Sequence, residues 1–64
     1  MEDNKAREWY IKNRIYFSDS EIEKLCDIPR GGIYKDLSGR QKLRSGTWSR
    51  VYSFMQKVIW GIYN

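Results

Sequence analysis

The single cysteine, Cys26, and the absence of histidine most constrain how this chain of 64 residues can fold. A chain this short buries only a small core, and small domains usually gain stability from disulfides, a bound metal or dense aromatic packing. One cysteine cannot form an intrachain disulfide, and without histidine the usual Cys/His zinc ligand set is missing. The chain does contain three Trp, five Tyr and two Phe. We therefore predict one domain, residues 1–64, with an aromatic core and with no metal and no cofactor.

The lack of histidine also removes the common catalytic arrangements. No Ser-His or Cys-His pair is available to activate a nucleophile, so we expect no enzyme. No apolar run reaches the length that a membrane-spanning helix needs, and no charged-then-apolar signal segment opens the chain. Together with the lone cysteine, these features predict a reduced, cytoplasmic location.

The charges divide unevenly between the two halves of the sequence. Residues 1–27 hold five Lys/Arg and seven Asp/Glu, a net charge of −2, whereas residues 28–64 hold seven Lys/Arg and one acid, a net charge of +6. Together they give the net charge of +4 of the whole chain. An excess of cations in one half favours a polyanionic partner. The alternative is a basic surface that serves only solubility.

The positions of proline and glycine predict an all-α fold. Pro29 and the glycines at 31, 32, 39 and 46 separate segments in which apolar residues recur at helical spacing. We predict a compact four-helix domain that contains a helix-turn-helix, with helices at about 3–14, 18–26, 30–37 and 47–61.

The second helix has the clearest start signal. Ser18 and Glu21 form an S-x-x-E capping box, and Phe17 with Ile22 fits a hydrophobic staple around it. We expect this helix to bury Ile22 and Leu25.

Pro29 suits the first position of a third helix, where its missing N–H costs nothing. Gly31 and Gly32 would then lie in the first turn, where a bare backbone gives close access to a ligand. Ile33 would face the core, and Gly39 would end the helix in the left-handed conformation.

The fourth helix carries the main core stripe of the sequence. Ser45 or Thr47 is expected to cap its start, and Leu43 is expected to anchor the basic loop before it. Phe54 and Trp60 lie off the stripe, either because the buried face is broad or because they form an apolar patch for self-association. The stripe consists of Trp48, Val51, Tyr52, Met55, Val58, Ile59 and Ile62.

The segment "IEKLCDIPRGGIYKDLSGR" resembles the lambda-repressor-like (XRE/Cro) helix-turn-helix family. It has that family's order of an apolar residue, a short helix, a turn, an "I/V-x-R-x-x-I" stretch and an "L-x-G-K/R" ending. The resemblance covers residues 18–55 and includes the "T-W-x-x-V" entry to the fourth helix. Two positions depart from the family pattern. Glu23 replaces an alanine, which is acceptable if it points outward, and Asp27 replaces a glycine, which is tolerable because aspartate visits the left-handed region.

The resemblance implies DNA binding with the third helix in the major groove. By position in the motif, the base-reading residues would be Arg30, Gly31, Tyr34 and Lys35. The residues that contact DNA phosphates would be Ser38, Arg40, Lys42 and Arg44. Arginine can pair bidentately with guanine, and lysines that neutralise phosphates make the affinity salt-dependent.

The resemblance also implies the kind of partner. We expect double-stranded DNA and a homodimer on two half-sites, with a phage or mobile-element transcriptional regulator as the biological context and the nucleoid as the location when bound. The surface expected to form the dimer is Trp60, Ile62 and Tyr63. The alternative is a protein-interaction module, an inhibitor or anti-repressor with a protein partner, that reuses the same fold.

Overall fold

The computed structural model describes residues 2–63, with side chains described for residues 2–61. Within this range the chain has four α-helices and one turn of 3-10 helix at Arg14–Tyr16, and it has no β-strand. The predicted all-α, four-helix class is confirmed. The α-helices are α1 Asp3–Asn13, α2 Asp19–Leu25, α3 Gly32–Leu37 and α4 Thr47–Tyr63.

The third helix starts later than its sequence predicts. Gly31 has a φ of +80°, a left-handed conformation that a right-handed helix cannot include, so α3 begins at Gly32 and has six residues. Residues 26–31 therefore form the turn after α2, and Pro29 lies in this turn. The expectation that Gly31 and Gly32 share the first helical turn is wrong.

The predicted capping box at the start of α2 is also wrong. Ser18 does occupy the cap position, but its hydroxyl makes no bond to the helix backbone. It lies 3.1 Å from the hydroxyl of Ser20. The Glu21 carboxylate lies 3.8 Å from the Lys24 ammonium instead of reaching back to the cap. The two serine hydroxyls hydrogen-bond to each other, so the capping box does not form.

The start of α4 is capped from a distant part of the chain. The Asp3 carboxylate accepts the N–H of Gly46 at 2.6 Å and the N–H of Ser49 at 3.0 Å. These are backbone groups that a helix start leaves without partners, and a negative charge is favourable there. The cap is therefore an acid of α1, whereas the sequence indicated Ser45 or Thr47.

The core lies between α1 and α4, and α2 and α3 cover one end of it. The Tyr10 ring packs 5.2 Å from Trp48 and 5.9 Å from Phe17, and Trp9 packs edge-on to Tyr52 at 5.0 Å. Such aromatic contacts contribute much of the stability that a small core can supply. The buried apolar residues are Ala6, Tyr10, Ile22, Cys26, Ile28, Ile33, Trp48, Val51 and Met55.

Not every predicted core position is buried. Leu25 is 59% exposed, because Glu23 takes the inward position beside Ile22. On α4, Phe54 packs against the core, as a broad buried face requires, but Trp60 is 69% exposed. Among the described residues, no helix combines the length and the apolar character needed to cross a bilayer.

Candidate nucleic-acid interface

The turn between α2 and α3 is fixed at both of its ends. At its start Asp27 adopts the left-handed conformation, with φ 58°, and the N–H of Ile28 bonds the carbonyl of Glu23 at 2.8 Å. This is the hydrogen-bond pattern of a Schellman motif, with aspartate at the position that glycine usually takes. From α4, the Arg50 guanidinium donates to the Cys26 carbonyl at 2.8 Å.

At the end of the turn, Glu23 holds the start of α3. Its side chain is buried, and its two carboxylate oxygens accept the N–H groups of Gly31 at 3.1 Å and Ile33 at 3.0 Å. The expectation that Glu23 points outward is wrong. A buried carboxylate requires hydrogen-bond donors, and the free N–H groups of a helix start supply them. Glu23 therefore sets where α3 begins.

The adjacent glycines have separate structural reasons. Gly31 needs a positive φ, and a Cβ atom built there would meet nothing within 4 Å. A Cβ atom at Gly32 would lie 2.9 Å from Cγ2 of Ile28 and 3.2 Å from Cδ2 of Leu43. The missing side chain of Gly32 therefore allows the backbone to pack closely against Ile28 and Leu43.

An open concavity of about 600 Å³ lies between the turn, α3, the loop after α3 and the first turn of α4. We call it the basic groove. Asp27 is the one acid among its lining residues, and Gln41 and Thr47 add polar groups. The cations that line it come from four segments and are Arg30, Lys35, Lys42, Arg44 and Arg50.

None of these cations forms a salt bridge with another residue that the structure describes. Among the residues that the structure describes, the salt bridges join Arg7 to Asp36, Arg14 to Asp19 and Lys24 to Glu21, all outside the basic groove. Like charges that converge on one concavity raise its positive potential and attract anions. The groove therefore fits a polyanion better than a neutral ligand.

Asp36 positions the loop that carries two of the cations. The Asp36 carboxylate is buried and accepts the Leu43 N–H at 2.8 Å, the Trp48 ring N–H at 3.2 Å and Nε of Arg7 at 2.7 Å. Burial opposes ionisation, but these donors outweigh it and hold the pKa of Asp36 below its usual value. Leu43 also packs against the core, so the middle of the loop is anchored as predicted.

Asp19 is similarly occupied. It accepts the Tyr10 hydroxyl and forms a salt bridge with Arg14 at 2.6 Å. Burial opposes its ionisation, yet the bonds from Arg14 and Tyr10 leave the pKa of Asp19 lowered. Burial and the bond to Asp19 raise the pKa of the Tyr10 hydroxyl. This cluster fastens α1 to the start of α2 and lies outside the basic groove.

The structure brings together half of the predicted DNA-contacting residues. Arg30 and Lys35 from the base-reading set line the groove together with Lys42 and Arg44 from the phosphate set. The other four, which do not line it, are Gly31, Tyr34, Ser38 and Arg40.

Three of these four lie on α3 or just after it. Tyr34 is 56% exposed on α3. The Ser38 hydroxyl donates to the Lys35 carbonyl at 3.2 Å, and the Arg40 backbone N–H bonds the same carbonyl at 2.9 Å. Gly39, with φ +79°, ends the helix as predicted. Of the predicted dimer surface, Trp60 is exposed, and the side chains of Ile62 and Tyr63 lie outside the described residues.

Arg50 is the groove residue that no motif in the sequence indicates. It stands between the inward positions Trp48 and Val51, in the first helical turn after the basic loop. A cation at such a position borders both the core and whatever surface the preceding loop forms. That placement is the signal from which it could have been found.

No protein-family model, curated protein or solved structure matches this chain. The resemblance of residues 18–55 to the lambda-repressor-like family stays a prediction from the sequence. The structure adds to it the basic groove and the positions of the residues that line it.

Proposed function

We propose that this protein binds double-stranded DNA through the basic groove, as a small helix-turn-helix regulator of transcription. The observation that carries the proposal is the convergence of five cations, with no salt bridge among the described residues, beside the α2–turn–α3 unit. Duplex DNA is a dense polyanion, and cations that contact its phosphates gain affinity by releasing counterions.

The short recognition element limits how much sequence such a site reads. Helix α3 has six residues, about 9 Å of helix, so few of its side chains can reach base edges at one time. Arg30, just before α3, is suited to bidentate pairing with guanine. Lys42 and Arg44, on the loop, are suited to phosphates. We expect affinity to come mainly from the backbone contacts and specificity to be modest.

The proposal includes a homodimer and a cytoplasmic, nucleoid-associated location. One domain of this size offers a small DNA interface, and helix-turn-helix proteins commonly double it on two half-sites. The exposed Trp60 near the end of α4 is a suitable contact for a second copy. A phage or mobile-element regulator is the biological context that we propose.

The test compares two groove variants on random and preferred duplexes over a range of salt concentrations. Lys42→Ala is expected to weaken binding to all duplexes equally and to reduce the salt slope by about 0.9, the share of one phosphate contact. Arg30→Ala is expected to reduce the preference among sequences, by about 1–3 kcal/mol for the base it reads. Fluorescence anisotropy with labelled duplexes measures both quantities.

Lys12→Ala serves as the control, because Lys12 is exposed on α1 and does not line the groove. It is expected to change neither the sequence preference nor, beyond its effect on net charge, the salt slope. Equal behaviour of the Arg30 and Lys42 variants would contradict the assignment of separate roles. No binding of the wild-type protein to any duplex at low salt would overturn the proposed function.

One observation favours the alternative, a protein-interaction module. Several large apolar side chains away from the groove are exposed, and such side chains are typical of protein contacts where they form a contiguous patch. A protein partner with no affinity of the chain for duplex DNA would support this alternative. The exposed side chains are Ile11, Ile15, Tyr16, Leu25, Tyr34, Val58 and Trp60.

A further inference from the structure

We infer that Arg50 is a phosphate-binding residue of the basic groove, held in a fixed direction by the turn between α2 and α3. The inference rests on the proposed function and assigns a contact that neither the motif nor the charge pattern identifies. The chemical group it would bind is a phosphodiester of the nucleic-acid backbone. Three observations support it: the hydrogen bond from Arg50 to the Cys26 carbonyl, the position of Arg50 in the lining of the groove, and the lack of a salt bridge to Arg50 among the described residues.

The hydrogen bond fixes where the guanidinium stands. One terminal nitrogen of Arg50 donates to the Cys26 carbonyl at 2.8 Å, between the first turn of α4 and the end of α2. A guanidinium has five N–H donors in a rigid plane, so one bond to the turn leaves the other donors for a ligand. Since the side chain is already restrained before a ligand arrives, less rotamer freedom is lost when it binds.

The surface is the groove itself. Arg50 lines it together with Arg30 and Lys35 on the α3 side and with Lys42 and Arg44 on the loop. The Cys26 carbonyl occupies one donor and carries no full charge, so this bond does not neutralise the guanidinium. A phosphate placed in the groove would face Arg50 and the loop cations together, and charge-assisted bonds of this type are stronger than neutral ones.

The third observation is that Arg50 has no carboxylate partner: no Asp or Glu among the described residues lies within salt-bridge distance of it. Arg7 and Arg14, by contrast, are paired with the carboxylates of Asp36 and Asp19. Arg50 holds the turn through a neutral carbonyl, so it helps to fix the fold and still keeps its charge for a ligand, like the other cations of the groove.

The first experiment measures binding of a labelled duplex to Arg50→Gln and Lys57→Gln over a range of salt concentrations. Lys57 is the matched control, because it lies on the same helix, carries the same charge and does not line the groove. Arg50→Gln is expected to lower the affinity and to reduce the salt slope by about 0.9, whereas Lys57→Gln leaves the slope near that of the wild type. Equal effects of the two variants would overturn the inference.

The second experiment uses the wild-type protein and does not depend on any variant folding. Arginine side chains are modified with phenylglyoxal with and without the duplex, and each site is quantified by mass spectrometry. Arg50 is expected to be protected by DNA several-fold, while Arg7, paired with Asp36 away from the groove, reacts equally in both samples. Unprotected Arg50 in a protein that does bind the duplex would overturn the inference and leave the proposed function in place. Absence of any duplex binding at low salt would overturn the proposed function as well.

Discussion

At the scale of single residues, two adjacent glycines show how one dipeptide can serve two needs. Gly31 supplies a positive φ that ends the turn, and Gly32 lacks the Cβ atom that would press against Ile28 and Leu43. The sequence predicted both glycines in the first turn of the helix, with a bare backbone open to a ligand. The structure places Gly31 one residue before α3 begins.

Gly31→Ala is expected to lower the free energy of unfolding by about 1–2 kcal/mol, because alanine is strained in the left-handed region. Gly61→Ala is the matched control. Gly61 lies in α4 with open space around its Cα, so alanine there is expected to raise stability by up to about 1 kcal/mol. Chemical denaturation followed by circular dichroism measures both. A Gly31 variant as stable as the wild type would show that the turn can adopt another conformation.

At the scale of the element, the start of α3 is determined by a residue of α2. The left-handed Gly31 stops the helix from extending towards Pro29, and the buried Glu23 carboxylate binds the N–H groups on both sides of the first helical residue. The helices themselves follow from apolar spacing and breakers, and the sequence predicts all four. Their exact starts depend on side chains that come from elsewhere, as Asp3 does for α4.

Glu23→Gln keeps the shape of the side chain but replaces one acceptor oxygen with an amide donor. One of the two N–H groups at the start of α3 is then left facing a donor, so we expect the free energy of unfolding to fall by about 1–3 kcal/mol. Hydrogen exchange is expected to accelerate at Gly31 and Ile33 more than in α4.

Glu21→Gln is the control for that prediction. Glu21 lies on the same helix, its side chain is 62% exposed and its nearest cation is 3.8 Å away. Such surface pairs contribute little, so stability is expected to change by no more than about 0.5 kcal/mol. If the two glutamine variants were equally stable, the capping role of Glu23 would be wrong.

At the scale of the whole molecule, one carboxylate joins the parts that the fold brings together. Asp36 of α3 contacts Arg7 of α1, the backbone of Leu43 in the loop and the ring of Trp48 in α4. It is the single acid of the basic half of the sequence. It lies in the interior, paired with Arg7 outside the groove, so Asp27 is the one acid that lines the groove.

Asp36 also makes stability depend on pH. Because its pKa in the folded protein lies below the usual value, the unfolded chain binds more protons in mildly acidic solution, and stability rises with pH there. The contribution is present above about pH 4 and is lost as the pH falls through the lowered pKa. Asp19, with a pKa shifted in the same direction, adds to this loss.

Asp36→Asn is expected to lower the free energy of unfolding at neutral pH by about 1–3 kcal/mol, since the buried side chain then presents an amide donor to groups that donate to the carboxylate. The variant should also lose less stability than the wild type between neutral pH and about pH 3. Thermal unfolding across that range measures the difference. Glu8→Gln, which removes an exposed carboxylate of α1, is expected to change stability at neutral pH by no more than about 0.5 kcal/mol. Equal acid sensitivity of the wild type and Asp36→Asn would contradict the assignment.

The sequence by itself determined the local features of this protein. Apolar spacing and the positions of proline and glycine predict the four helices, because these signals act within a few residues. The uneven charge of the two halves is likewise readable from the sequence alone. The assignment of Arg30, Lys35, Lys42 and Arg44 to DNA contacts stays a prediction from the resemblance, although the structure does place these four around one groove.

Tertiary structure decided which of those residues meet. It placed Arg50 in the basic groove, turned Glu23 inward, left Leu25 exposed and gave Asp3 the start of α4 to cap. Each of these outcomes either brings together residues that are distant along the chain or decides which face of the short helix α2 is buried. Periodicity and local capping rules describe neighbours in sequence, whereas a buried carboxylate finds its donors wherever packing brings them.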